Sequence, residues 1–244
     1  MLSKEELERY DRQIRLFGIE AQERLKKARV LVVGVGGLGT ASSLYLAAAG
    51  VGELILVDRE RVELSNLNRQ ILYTTSDIGK LKVEAAAEKL RQLNPNVNVV
   101  PLAREITEDL LEELVPRVDI VVDGLDNWKT RFLVNDACVK HGKPFVHAGI
   151  YGVYGQLLVV VPGKTPCLRC ILPKEPPEVR PFPVLGTTAG LMAMMQVTEA
   201  IKLITGYGIP ALNKIIVYNG YSMTFHEVSV SRNPQCPVCG RLSS

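Results

Sequence analysis

Three groups of residues in this 244-residue chain have the types and spacing to do chemistry. The first, Gly34-Val35-Gly36-Gly37-Leu38-Gly39, satisfies G-x-G-x-x-G. Between a strand and a helix, its first glycine allows a tight turn and its second lets backbone approach a phosphate. The third, Gly39, lets the helix pack on the strand, and the helix amino end favours an anion. Asp58 is spaced to accept hydrogen bonds from ribose hydroxyls. The loop alone fits NAD, ATP or a purely structural turn.

The second group is Ser65-Asn66-Leu67-Asn68-Arg69-Gln70 with Gly79-Lys80-Leu81-Lys82. Hydride transfer breaks no phosphate bond and needs no dense cationic set. Expulsion of pyrophosphate does, because charge builds on the leaving group. Arg69 and Lys82 could supply that charge; the bland alternative makes them solvated surface side chains. Asp126, in Asp123-Gly124-Leu125-Asp126-Asn127, could hold Mg²⁺ against phosphate oxygens. Alternatively Asp126 or Asn127 caps the helix that follows. The third group is Cys167-x-x-Cys170 with Cys236-x-x-Cys239, four soft ligands suited to a closed tetrahedral Zn²⁺ site. Disulfides or a redox pair fit a reducing compartment less well. Cys138 stands alone and reads as a small buried hydrophobe.

These residues need a scaffold, and the chain alternates in a way that builds one. Val30-Leu31-Val32-Val33 and Leu54-Ile55-Leu56-Val57 read as strands flanking a helix over 38–49, the order of a right-handed parallel crossover. Helices are predicted over 80–93, 107–114 and 128–141, and strands over 97–101, 118–123 and 144–148. After Gly149 the pattern turns antiparallel, with a strand over 156–161 and a hairpin signal at Val217-Tyr218-Asn219-Gly220-Tyr221. Between them, the prolines packed into 164–185 oppose helix and central strand, and predict an extended crossover into a long apolar helix over 187–205. The expected fold is α/β: a Rossmann-like doubly wound sheet, parallel in its amino-terminal part with antiparallel carboxyl-terminal strands. One domain over 1–244 is expected, with a helical arm (1–28), a nucleotide-binding part (29–150) and a carrier-binding and zinc part (151–244) holding a crossover loop at 171–186.

Composition narrows the class further. With 47% hydrophobic residues the chain can bury a core, and no apolar stretch reaches the length of a membrane helix. Met1-Leu2-Ser3-Lys4-Glu5-Glu6 lacks the apolar core of a secretory signal, so a cytoplasmic location is expected. A net charge of +3 is too mild for a nucleic-acid partner, and a membrane partner is not expected either.

Taken together, the motifs resemble the ubiquitin-activating-enzyme-like superfamily, closest to its MoeB/ThiF/HesA adenylyltransferases. The resemblance runs through Arg9-Tyr10-Asp11-Arg12-Gln13, the 34–39 loop, Ala49-Gly50-Val51-Gly52, Asp58 and 65–70. It continues through 79–82, Asp126-Asn127, Asn135-Asp136-Ala137-Cys138, both cysteine pairs and Glu199-Ala200-Ile201-Lys202. It implies ATP-dependent adenylation of the carboxyl-terminal Gly-Gly of a ubiquitin-fold sulfur carrier of MoaD or ThiS kind, with release of pyrophosphate. Molybdopterin, thiamine and thiolation pathways all fit. It also implies a homodimer, Mg²⁺, a structural Zn²⁺ and the following roles. Gly34, Gly36, Gly37, Gly39, Asp58, Ser65, Asn66, Asn68 and Asn127 would bind the nucleotide. Arg69, Lys82 and Asp126 would serve binding and catalysis, and Arg12 would reach the nucleotide of the other subunit. An NAD-dependent oxidoreductase and a tRNA-modifying threonylcarbamoyladenosine dehydratase are the alternatives.

The chemistry agrees with this inventory. A terminal carboxylate, with a pKa of about 3.5, is ionised at neutral pH and needs no general base. The absence of a histidine triad therefore counts little, and His141, His147 and His226, with no evident shared partner, are expected to be structural. Two departures stand out. The family's Asp-x-Asp is here Asp58-Arg59-Glu60, and no cysteine lies between Ile171 and Met195 to take a thioester or acyl-disulfide. The enzyme is expected to stop at the adenylate, and no appended rhodanese-like domain is expected.

Overall fold

The computed structural model describes residues 1–177 and 182–241. Residues 178–181, part of the predicted crossover loop, and the tail 242–244 lie outside the described residues. Three short helices open the chain: α1 (Lys4–Arg9), α2 (Asp11–Phe17) and α3 (Ile19–Lys27). Ser3 caps α1 through a reciprocal box with Glu6. The alternating part follows as β1 (Arg29–Val33), α4 (Gly37–Ala49), β2 (Glu53–Val57), α5 (Lys82–Leu93) and β3 (Asn98–Leu102). It continues with α6 (Glu108–Leu114), β4 (Ile120–Asp123), α7 (Trp128–Lys140) and β5 (Phe145–Tyr151). The remainder is β6 (Tyr154–Val160), α8 (Leu168–Ile171), α9 (Gly186–Thr205), β7 (Lys214–Asn219) and β8 (Thr224–Ser229).

Among the described residues the strands form one eight-stranded sheet in the order β3-β2-β1-β4-β5-β6-β7-β8. Pairings from β3 to β5 are parallel, and those from β5 to β8 are antiparallel. The doubly wound expectation holds because β-strand side chains alternate between faces. On β1, Val30 and Val32 join Leu46, Leu90 and Met192 on one face, while Leu31 and Val33 join Leu110, Phe132 and Phe145 on the other. Both faces are thus buried, which is why these strands read as continuous apolar runs.

The crossover departs from the reading at one point. Residues 167–172 carry no proline, and α8 forms one turn there before Pro173 stops it. The hairpin signal at Asn219 is realised by a loop of four residues, in which Asn219 Oδ1 accepts from the amides of Tyr221 and Ser222. No helix among the described residues is long and apolar enough to cross a membrane.

Strand order reverses direction between β1 and β4, and in open parallel sheets ligands bind in the crevice at such a switch point. Gly34, after β1, and Gly124, after β4, meet there. A Cβ on Gly34 would stand 2.7 Å from the Gly124 carbonyl oxygen, and Gly34 has φ +85°. Only glycine satisfies both the conformation and the approach.

Candidate active site

A cavity of about 1530 Å³ opens above this switch point. That exceeds the roughly 300–1,000 Å³ usual for one small-molecule ligand. Gly34, Gly36 and Gly37 form one side, and a Cβ at Gly36 would come no closer than 3.8 Å to Gln70 Nε2 or the Gly124 carbonyl oxygen. Gly39 lies deeper, where a Cβ would collide with the Gly34 carbonyl, so its role is packing. Asp58, just past β2, lines the cavity and holds the loop in shape. Its Oδ2 accepts from the Val35 amide and its Oδ1 from the Glu60 amide, both at 2.8 Å.

Arg69 and Lys82 line the same cavity. The stem of Arg69 lies against Gly37, within 3.5 Å of where a side chain there would sit. Its guanidinium donates to the Ser65 carbonyl (2.9 Å) and to Asn68 Oδ1 (3.1 Å). Ser65 and Asn68 thereby orient Arg69 and line the cavity as well. Asn66 is buried, its Oδ1 accepting from the Glu63 amide and fixing the turn that carries Arg69. Lys82 opens α5, and its Nζ sits 2.5 Å from Glu60 Oε2. The longer acid of Asp58-Arg59-Glu60 therefore has a definite partner.

Across the crevice, Asp126 and Asn127 line the opposite lip. Asn127 is the cap of α7, accepting from the Thr130 amide at 2.9 Å, and Asp126 faces solvent beside it. This resolves the capping alternative in favour of Asn127. Arg12 is exposed on α2 and is not among the cavity-lining residues of its own chain.

Two features escaped the sequence. Gln70, within a recognised motif but given no role, is buried beside Gly36, and its Oε1 has no hydrogen-bond partner. His147, expected to be structural and to share no evident partner with the other histidines, is bonded through Nδ1 to Asp123 Oδ2 at 2.6 Å. Arg131 Nε donates to the same carboxylate at 3.0 Å, and the Leu125 amide to Oδ1 at 2.8 Å. Burial pushes the pKa of Asp123 up, but Arg131 and His147 together outweigh it and hold the carboxyl below its ordinary range. The signal was present as a carboxylate closing β4 and a histidine inside β5. Only the pairing of these strands brings them together.

The four cysteines converge. Their sulfurs all lie within 4.8 Å of one another, with Cys170–Cys239 at 3.2 Å and Cys167–Cys236 at 3.7 Å. Zinc–sulfur bonds of about 2.3 Å in a tetrahedron separate sulfurs by about 3.8 Å, so the donor set fits that ion. Burial pushes the Cys167 thiol well up, and a divalent cation is what would replace its proton. Cys138 is fully buried in α7, as expected.

The sequence matches the ThiF family over residues 10–238. The chain belongs to the ThiF family. It is 44% identical to protein HesA, vegetative, of Trichormus variabilis, over 99% of this chain and 92% of that protein. It is 43% identical to the sulfur carrier protein adenylyltransferase of Thermus thermophilus, over 98% of this chain and 92% of that one. Among solved structures it resembles Escherichia coli MccB with ATP, at 30% identity and a TM-score of 0.84, covering 95% of this chain and 74% of MccB.

Proposed function

We propose that this ThiF-family protein is an adenylyltransferase that uses ATP to activate the carboxyl-terminal glycine of a ubiquitin-fold sulfur carrier. The observation that supports this reading best is the sharing of one cavity by the glycine loop, Arg69 and Lys82. Cations placed where a triphosphate would lie serve departure of pyrophosphate, for which hydride transfer has no use. The similarity to a sulfur carrier protein adenylyltransferase and to MccB, solved with ATP, points the same way.

On this reading the glycine loop and Asp58 hold the nucleotide, and Asn66, Ser65 and Asn68 set the turn bearing Arg69. The carrier's ionised terminal carboxylate attacks the α-phosphorus, an acyl–phosphate bond forms, and the α–β bond breaks to release pyrophosphate. Arg69 and Lys82 meet the charge on the leaving group, and Lys82 exchanges Glu60 for phosphate oxygens. Asp126, with Asn127 fixing its lip, would hold Mg²⁺, which supplies further neutralisation of the triphosphate. Cys167, Cys170, Cys236 and Cys239 would hold a structural Zn²⁺. The protein acts as a homodimer in which Arg12 reaches across to the partner's nucleotide. Without a cysteine between Ile171 and Met195, it releases or hands on the acyl-adenylate.

ATP–pyrophosphate exchange tests this directly. Purified protein with Mg²⁺ should show exchange only when a MoaD- or ThiS-type carrier ending in Gly-Gly is added. Exchange without carrier, or none with any carrier, would refute it.

A further inference from the structure

The cavity runs past the nucleotide end to the antiparallel strands, where Gly149, Gly155, Val217 and Val184 line it. Glycine and valine leave room there for a polypeptide in extended form, and the exposed Tyr151 and Tyr154 line the same cavity. Gln156 supplies an amide side chain on this wall. It lies directly opposite Gly149 in the β5–β6 register, on the face that also carries His147. Because Gly149 has no side chain, Gln156 leans across β5: a Cβ on Gly149 would meet its Cγ and Nε2 at 3.2 Å. That lean brings Gln156 Nε2 to 3.2 Å from His147 Nε2.

The protons in this chain of groups are determined by its far end. Asp123 is fully buried between Arg131 and His147, remains ionised and can only accept. His147 Nδ1 must therefore carry a hydrogen. Burial, the dominant influence on His147, keeps the imidazole neutral, so its Nε2 is bare and accepts. Gln156 must then donate an N–H to it, which fixes which way round its amide stands. Its Oε1 and second N–H are left for the cavity.

We propose that Gln156 is a binding residue for the main chain of the incoming carboxyl-terminal tail, and that Asp123 and His147 are positioning residues that hold its amide in one orientation. A glutamine amide presents one acceptor and one donor, the complement of a peptide group in an extended strand. The ligand class is a glycine-terminated peptide tail, recognised by backbone rather than by side chain. This rests on the adenylyltransferase reading above.

The test is steady-state exchange kinetics with a purified ThiS- or MoaD-type carrier ending in Gly-Gly. Gln156→Met keeps length and volume but removes both hydrogen-bonding groups. It should raise the KM for carrier at least tenfold while KM for ATP and kcat at saturating carrier change less than twofold. His147→Asn retains a donor toward Asp123 and loses the acceptor for Gln156, so it should raise the carrier KM similarly. The double variant should add less than twofold to either single one, because the two act as one unit. Should His147→Asn fail to fold, Gln156→Met decides alone, its melting temperature serving as the check on its fold. A carrier KM within twofold of wild type in Gln156→Met, or a parallel rise in the KM for ATP, overturns the relay while leaving adenylation intact. Wild-type protein that supports no exchange with any carrier overturns both readings.

Discussion

Lys82 and Glu60 form an unequal pair: the lysine side chain is 4% exposed, its carboxylate partner 64%. The ammonium is anchored at the start of α5, and the acid stands exposed on the loop after β2. A buried cation with an exposed counter-ion is neutralised without substrate, yet its partner can leave when phosphate oxygens arrive. Lys82→Ala is expected to cut kcat/KM for ATP–pyrophosphate exchange at least a hundredfold, in the range seen when one preorganised charge-stabilising group is lost. Glu60→Gln, which keeps an acceptor for Lys82, should stay within about fivefold. If both variants lose activity equally, Glu60 is catalytic and the exchange of partners is wrong.

Much of the site was legible because its residues come in local motifs. Gly34 to Gly39, Ser65 to Gln70 and the two Cys-x-x-Cys pairs are each contiguous in sequence, and the periodicity around the glycine loop places it between β1 and α4. What stayed hidden depends on strand pairing. Asp123, Arg131 and His147 come from β4, α7 and β5, and nothing in their spacing says that they share one carboxylate. The role of Glu60 was also hidden, since its partner Lys82 lies 22 residues away, beyond an irregular loop. The turn at α8 is masked by the proline density of the crossover as a whole, although residues 167–172 are free of proline.

Two glycines in the same loop should behave differently. Gly34→Ala meets the Gly124 carbonyl at 2.7 Å and a positive φ, so it should destabilise the fold by roughly 2–4 kcal/mol, visible in urea unfolding. At Gly36 an added Cβ would make only ordinary contact, 3.8 Å from Gln70 Nε2 and from the Gly124 carbonyl oxygen, so Gly36→Ala should leave stability within about 0.5 kcal/mol while weakening ATP binding several-fold. Equal loss of stability in both would show that the loop's glycines are all structural.

Acid should weaken the fold through the buried relay. Burial lowers the pKa of His147 in the folded state, with Arg131 adding to the effect against the pull of Asp123. Below the ordinary histidine pKa of about 6.5, the unfolded chain takes up a proton that the folded chain refuses. Stability contributed by neutral His147 is therefore complete above that pH and declines as pH falls beneath it. Asp123 adds a second loss at lower pH, since its folded pKa lies under the unfolded value of about 3.9. Melting temperature should fall from pH 7 to pH 5, and His147→Asn should flatten that decline despite a lower starting value. An unchanged slope in the variant would assign the acid sensitivity elsewhere.

The cysteine site should bind the carboxyl-terminal segment to the body of the protein. Cys167 immediately precedes α8 and Cys170 lies within it, whereas Cys236 and Cys239 lie beyond β8, so one ion would join segments 69 residues apart. Arg232 reinforces the same junction, donating to the carbonyls of Gly163 (2.8 Å) and Cys239 (2.7 Å). Protein purified without added metal should contain one zinc per chain by elemental analysis, and Cys170→Ser should lose most of it. Because burial favours protonated thiols at Cys167 when no cation is present, chelation should lower the melting temperature by several degrees and expose the segment after Val230 to protease. Re-addition of Zn²⁺ should reverse both effects. A metal-free wild type that is equally stable, or one whose four cysteines prove to be oxidised, would replace the zinc centre with a packed thiol cluster or disulfides.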